Sequence, residues 1–259
     1  MKQSIFLTIV IVVTLAIAFG IWILVLGNPD NFKDGAGRQS PLNLLGTIYT
    51  GGIIVPILIM LTLMNLTLVF ERTFSLRKAN GKSSITVFLQ SVQKHLMSGK
   101  IDDAIKACDA QRGSAANIIR TGLNRYKEIV HDNKLDSEKK MAETKRAIEE
   151  ATSLETPLLE RNLIALSTIA SVATMFGLLG TVIGMIRAFT ALAAQGGAPD
   201  AIQLSIGISE ALINTALGLL AAILGIIAYN FFVTKVDNFT YMIDEASYNV
   251  VEILNTKTN

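Results

Sequence analysis

Residues 201–234 read AIQLSIGISEALINTALGLLAAILGIIAYNFFVT and carry a single charged side chain, Glu210. A helix crosses the hydrocarbon core of a bilayer in about 20 mostly apolar residues, so this run exceeds a span and is expected to tilt or project beyond it. At 100° per residue, Gln203, Gly207, Glu210, Ala211, Asn214, Thr215, Gly218, Ala221, Ala222 and Gly225 share one arc of about 140°. Leucine and isoleucine fill most of the remainder. The stretch therefore predicts a membrane helix with one polar, small-residue face and an aliphatic back. A carboxylate at the centre of a bilayer costs on the order of 2.5–3.5 kcal/mol even on insertion scales. Glu210 is expected either to line an ion or proton path or to act as a structural carboxyl bonded across helices.

Three further runs meet the length requirement. Residues 1–26 are free of charge from Ser4 onward, residues 51–70 contain none, and residues 161–194 are interrupted after Arg161 only by Arg187. The first run could be a cleaved leader, but it is longer than the apolar part of a signal peptide, about 7–15 residues. It is expected to be a retained span. The prediction is an all-α membrane protein with about four transmembrane helices, two of them long and extending into a cytoplasmic helical region. Lys and Arg favour the cytoplasmic side, and most of the 23 basic residues fall in 71–160. That places 71–160 and both termini in the cytoplasm of a bacterial inner membrane. The connector 27–50 and the turn 195–200 then face the periplasm, and 235–259 forms a cytoplasmic C-terminal helix.

Composition agrees. Of 259 residues, 51% are hydrophobic and 17% charged, with mean hydropathy +0.46; soluble domains carry about 25% charged residues. A net charge of +2 and the lack of a basic stripe with interleaved aromatics argue against nucleic acid. The lone cysteine, Cys108, excludes an intrachain disulfide and a cysteine metal cluster. His95 and His131 lie in polar stretches and read as surface residues. No Walker loop, HExxH or GxSxG motif occurs, so neither catalytic residues, cofactor nor metal is expected. In 71–160, apolar residues recur at helical spacing over 85–97 and 101–110, and Gly99 and Gly113 fit helix ends. Asp102 is a candidate cap. From Ser137 the chain reads as one long helix into the third span, with Pro157 as the expected point of a kink.

The third span carries GLLGTVIG at 177–184. It lacks the lysine of a phosphate loop, and its small residues read as close helix packing. Ser167, Ser171, Thr174 and Thr181 fall on one side of this helix and Gly180 and Gly184 on another. The hydroxyls either line an aqueous path or bond to carbonyls one turn back. Arg187 lies on the glycine side at a depth similar to Glu210. An ion pair between them is one expectation; snorkelling to the periplasmic surface, at the mouth of a path, is the favoured one.

These residues resemble a known family. LIALSTIASVA at 163–173, GLLGTVIG at 177–184, GISEALINTALG at 207–218 and AYNFF at 228–232 match, in order and spacing, the core of the MotA/TolQ/ExbB proton channel family, on its ExbB side. The resemblance implies that Glu210 is the pore glutamate and that Thr181 and Thr215 line the channel with it. Ser171, Thr174, Asn214, Gly180, Gly184 and Gly218 are candidate pore-lining or packing positions. It further implies a homopentamer around a dimer of ExbD-like single-span partners. Proton flow through this assembly would energise a TonB-like protein that serves outer-membrane transport. A TolQ-like role in the Tol-Pal envelope system and a non-conducting scaffold are the alternatives. The chain departs from the family's usual residues at Thr174 and near Gly225, where proline is frequent. It departs also at Asn214, where small residues are usual, and at Arg187, where a neutral polar residue is common. Residues 1–26 look like an addition to the usual three spans.

Overall fold

The computed structural model describes residues 2–38, 40–132, 135–194 and 201–258. Among these no β-strand occurs; one isolated bridge pairs Phe32 with Pro41. The described residues form nine α-helices in chain order: α1 (Lys2–Gly20), α2 (Leu44–Tyr49), α3 (Ile54–Asn80), α4 (Ile85–Met97), α5 (Ile101–Gln111), α6 (Ser114–Ile129), α7 (Ser137–Glu160), α8 (Leu163–Ala194) and α9 (Ala201–Thr258). α1 widens into a π-helical turn over Ile21–Leu26. Four of the helical stretches are long and apolar enough to cross a membrane. The all-α membrane architecture expected from the hydropathy pattern is thus what the structure has. The predicted turn 195–200 lies outside the described residues.

The chain divides into two units, Met1–Phe70 with Asn162–Asn230 and Glu71–Arg161 with Phe231–Asn259. In the first, α8 and α9 pack through residues without bulk. A Cβ added at Gly180 would collide with the Cβ of Asn214, and one at Gly184 would lie 2.7 Å from the Ala211 nitrogen. From the other helix, a Cβ at Gly207 would meet that of Ala188 at 2.8 Å, and one at Gly218 would meet the Gly177 Cα at 2.8 Å. Contacts this short require glycine at those positions. α3 joins them through Asn65, whose Nδ2 donates to the Ala221 carbonyl at 2.9 Å. Side-chain bonds and a ring stack also hold the described residues of the connector 27–50. Asn31 Nδ2 donates to the Val25 and Leu26 carbonyls, Asn43 Nδ2 donates to Asn31 Oδ1, and Trp22 stacks on Tyr49 at 5.0 Å.

The second unit is built from side chains with bulk. Phe88, Val92 and Leu96 of α4, Cys108 of α5, Ile118, Ile119 and Leu123 of α6, and Ile148 of α7 are buried. Gln111 is buried too and staples the α3–α4 loop. Its Nε2 donates to the Asn80 and Ser83 carbonyls, and its Oε1 accepts from Ser83. Ion pairs tie the outer faces together: Asp102–Lys127 at 2.6 Å, Asp109–Arg120 at 2.9 Å and Arg125–Glu143 at 2.9 Å. Arg72, at 1% exposure, is held by Glu71.

Several boundaries differ from expectation. α7 continues through Pro157, and the chain leaves the helix at Arg161–Asn162, where Asn162 takes φ +62°. Among non-glycine residues asparagine adopts the left-handed conformation most readily, so the break falls there and not at the proline. The helices expected over 201–234 and 235–259 are one as far as Thr258: α9 runs unbroken over 58 residues, with no glycine or proline after Gly225 to stop it. Asp102 is not a cap; it sits in the first turn of α5 and pairs with Lys127, while α5 has no side-chain cap. Gly99 and Gly113 both take positive φ at helix ends, as predicted. His131 is exposed and His95 half-buried.

Candidate functional site

Glu210 lies on the small-residue arc of α9, and that arc faces inward. Gly207, Glu210, Ala211, Asn214, Gly218, Ala221, Ala222 and Gly225 are buried; Thr215 is half-buried and only Gln203 is exposed. The Glu210 side chain is 5% exposed, and its Oε1 accepts from Arg187 Nη1 at 2.6 Å. The arginine expected to snorkel thus turns to the carboxylate. The glycine side of α8 lies against α9, and Arg187 shares that side, so its guanidinium reaches Glu210 without leaving the interface. The aliphatic stem and the rest of the head remain on the surface of the unit, at 58% exposure.

The turn before α3 completes the surroundings. Gly52 takes φ +75°, and a Cβ on it would lie 2.9 Å from Glu210 Oε1 and 3.5 Å from Arg187 Nη1. One helical turn along α9, Asn214 is fully buried and its Nδ2 donates to the Gly51 carbonyl at 2.9 Å. A cavity of about 290 Å³ opens beside the pair, with Trp22, Arg38, Tyr49, Gly52, Arg187 and Glu210 in its wall. Arg38 lies over the Tyr49 ring and donates to its hydroxyl at 3.2 Å. Gly51 and Gly52, read in the sequence as the start of the span 51–70, form a turn here, and the helix begins at Ile54. Nothing in their local pattern marked contact with a residue so far along the chain. Trp22, Arg38 and Tyr49 gave no signal at all.

The hydroxyls of α8 are placed differently. Ser171 is exposed; Ser167, Thr174 and Thr181 are half-buried. Each donates to a carbonyl three or four residues back: Ser167 to Ile164 at 3.0 Å, Ser171 to Ser167 at 3.1 Å, Thr174 to Ala170 at 3.2 Å and Thr181 to Leu178 at 2.6 Å. The stripe therefore satisfies its donors locally and presents its lone pairs on the surface of the unit. Thr215 links the helices, its Oγ1 donating to Ala211 and Gly177 carbonyls at 3.3 and 3.5 Å. So the structure joins Arg187 to Glu210, Asn214 to Gly180, and Gly184 to Ala211, while Ser171, Thr174 and Thr181 line a separate face. Among the described residues no cluster of metal-ligating side chains occurs.

This arrangement sets one carboxylate among apolar helices with a partly exposed arginine as its partner. The model of the MotA/TolQ/ExbB proton channel family matches residues 110–245, which include α8, Glu210 and the core of α9. A Synechocystis protein named as biopolymer transport protein ExbB-like 1 is 31% identical over 76% of this chain and 72% of its own length. The Tol-Pal system protein TolQ of Pseudomonas aeruginosa is 32% identical over 69% of this chain and 78% of its own. Biopolymer transport protein ExbB of Xanthomonas campestris is 38% identical over a shorter stretch, 37% of this chain and 40% of its own. With four helices able to cross a bilayer and relatives of this kind, the chain is a multi-pass membrane protein, and it belongs to the MotA/TolQ/ExbB proton channel family.

Proposed function

We propose that this chain is the channel subunit of an ExbB–ExbD-type inner-membrane motor, which uses the proton motive force to energise TonB-dependent outer-membrane transport. The observation that carries the reading is Glu210: the one carboxylate of residues 201–234, buried within the unit and set in the GISEALINTALG string. A lone acid is kept at such a position where it carries charge or protons. Thr181 and Thr215, half-buried on α8 and α9, supply hydroxyls that can relay a proton or solvate it. In this reading five copies surround a dimer of single-span ExbD-like partners, and a TonB-like protein takes up the motion. Residues 71–160 and both termini lie in the cytoplasm, and the connector 27–50 lies in the periplasm.

Glu210→Ala and Glu210→Gln are expected to abolish energised uptake while leaving membrane insertion and assembly intact. Parental uptake in either variant overturns the pore role. Acid-driven flux into proteoliposomes of the complex, reduced in Thr181→Val and Thr215→Val, separates conduction from a non-conducting scaffold. The near-equal identities to ExbB-like 1 and TolQ support a second reading, a TolQ-like role in the Tol-Pal system. Affinity capture that recovers a TolA-like protein in place of a TonB-like one selects it.

A further inference from the structure

We propose that Arg187 is a latch on Glu210: with the Gly51–Gly52 turn it holds the carboxylate closed inside the subunit, and a working cycle must open the pair. The inference rests on the reading of Glu210 as the charge-carrying group, but its first readout does not depend on conduction.

Three observations converge. The ion pair is short, 2.6 Å, and its two members are unequally held. Glu210 is enclosed at 5% exposure, whereas Arg187 is 58% exposed and its side chain reaches the surface of the unit. The moving part of the latch is therefore the arginine.

The turn is shaped to the pair. Gly52 at φ +75° leaves no room for a Cβ, which would stand 2.9 Å from the carboxylate oxygen. Its neighbour is fastened to α9 through the Asn214 Nδ2–Gly51 carbonyl bond at 2.9 Å. The turn is thus pinned within one helical turn of Glu210 and cannot drift off the carboxylate.

Arg187 and Asn214 both meet the same turn: one supplies the cation and the other anchors the backbone that covers it.

The test is labelling of Glu210 in the purified full-length protein by dicyclohexylcarbodiimide, which adds to accessible, neutral carboxyl groups. The parental protein is expected to label slowly. Arg187→Gln is expected to label about ten-fold faster or more, since a hydrogen bond to a charged group no longer has to open first. Arg187→Lys restores slow labelling, and Asn214→Ala falls between. Equal rates in the parental protein and Arg187→Gln overturn the latch. Should Arg187→Gln fail to accumulate, Gly52→Ala serves, because its methyl group is directed at the pair; parental-rate labelling there overturns the latch equally. Faster labelling in Arg187→Gln together with parental uptake in Glu210→Ala keeps the latch and removes the channel reading. Lost uptake in Glu210→Ala with unchanged labelling does the reverse.

Discussion

The two units pack their helices by opposite means. In the first unit, α8 meets α9 through Gly177, Gly180, Gly184, Ala188, Gly207, Ala211 and Gly218, with Arg187 bonding across to Glu210, while Asn65 of α3 bonds to α9 and Asn214 of α9 bonds to the turn before α3. Where α4 to α7 meet, contact is made by Phe88, Val92, Leu96, Leu123 and Ile148, and ion pairs stay on the outside. The solvent explains the difference. Lipid tails are as apolar as leucine, so burying leucine inside a membrane gains little, and close approach with a few hydrogen bonds must do the work. In water, removing apolar area is the main gain.

Leu123 and Leu58 put this contrast to its largest test, since both are fully buried. Leu123→Ala should lose both the transfer and the cavity contribution, about 2–5 kcal/mol. Leu58→Ala, in the membrane unit, should lose mainly the cavity part, about half as much or less. Thermal denaturation of the solubilised protein, followed in each unit, gives the two values. Equal losses would remove the solvent argument.

Glycine substitutions sharpen the comparison at the next level. In Gly180→Ala the new methyl meets the Asn214 Cβ, so a helix must move, and a loss of about 1–3 kcal/mol is expected. In Gly122→Ala the new methyl meets Ile148 Cγ1 and Cδ1, which can rotate away. Alanine's better helix propensity, about 1 kcal/mol, then offsets much of the strain. Melting temperatures of the two variants are expected to fall in that order.

Smaller effects belong to the exposed pairs. The hydrogen bond from Arg125 holds the Glu143 carboxyl below its ordinary value of 4.5, and Lys127 holds Asp102 below 3.8. Folded values depressed in this way give stability that is present above the ordinary value and lost as pH falls through the folded one. Acidification from about pH 5 to about pH 3 should therefore lower the melting temperature of the second unit slightly, and less so at high salt. Glu143→Gln and Asp102→Asn should flatten the dependence. Smallest of all is the response at Cys108, whose thiol is pushed up to about 12 by burial, with Asp109 adding to the effect. Maleimide at about pH 8 should leave the native protein unmodified and react only after unfolding.

Much of this was legible along the chain. Residues 1–26, 51–70, 161–194 and 201–234 announced themselves by length and scarcity of charge, and Glu210 by being the one carboxylate among them. The glycine side of α8 and the small-residue arc of α9 followed from helical periodicity, because side-chain direction repeats with the helix regardless of what lies opposite. The alternatives for Arg187 were not separable in that way. Snorkelling and pairing use the same residue at the same depth, and they differ only in whether a carboxylate stands within reach.

The sequence by itself therefore determined the membrane-length helical runs, their apolar and polar faces, and the family resemblance, since each depends on local spacing or on contiguous strings. Tertiary structure alone decided that Arg187 pairs with Glu210 and that Asn214 bonds to Gly51. Those outcomes depend on atoms brought together from 23 to 163 residues apart in the chain, where distances of a few ångström choose between partners and local patterning carries no information about them.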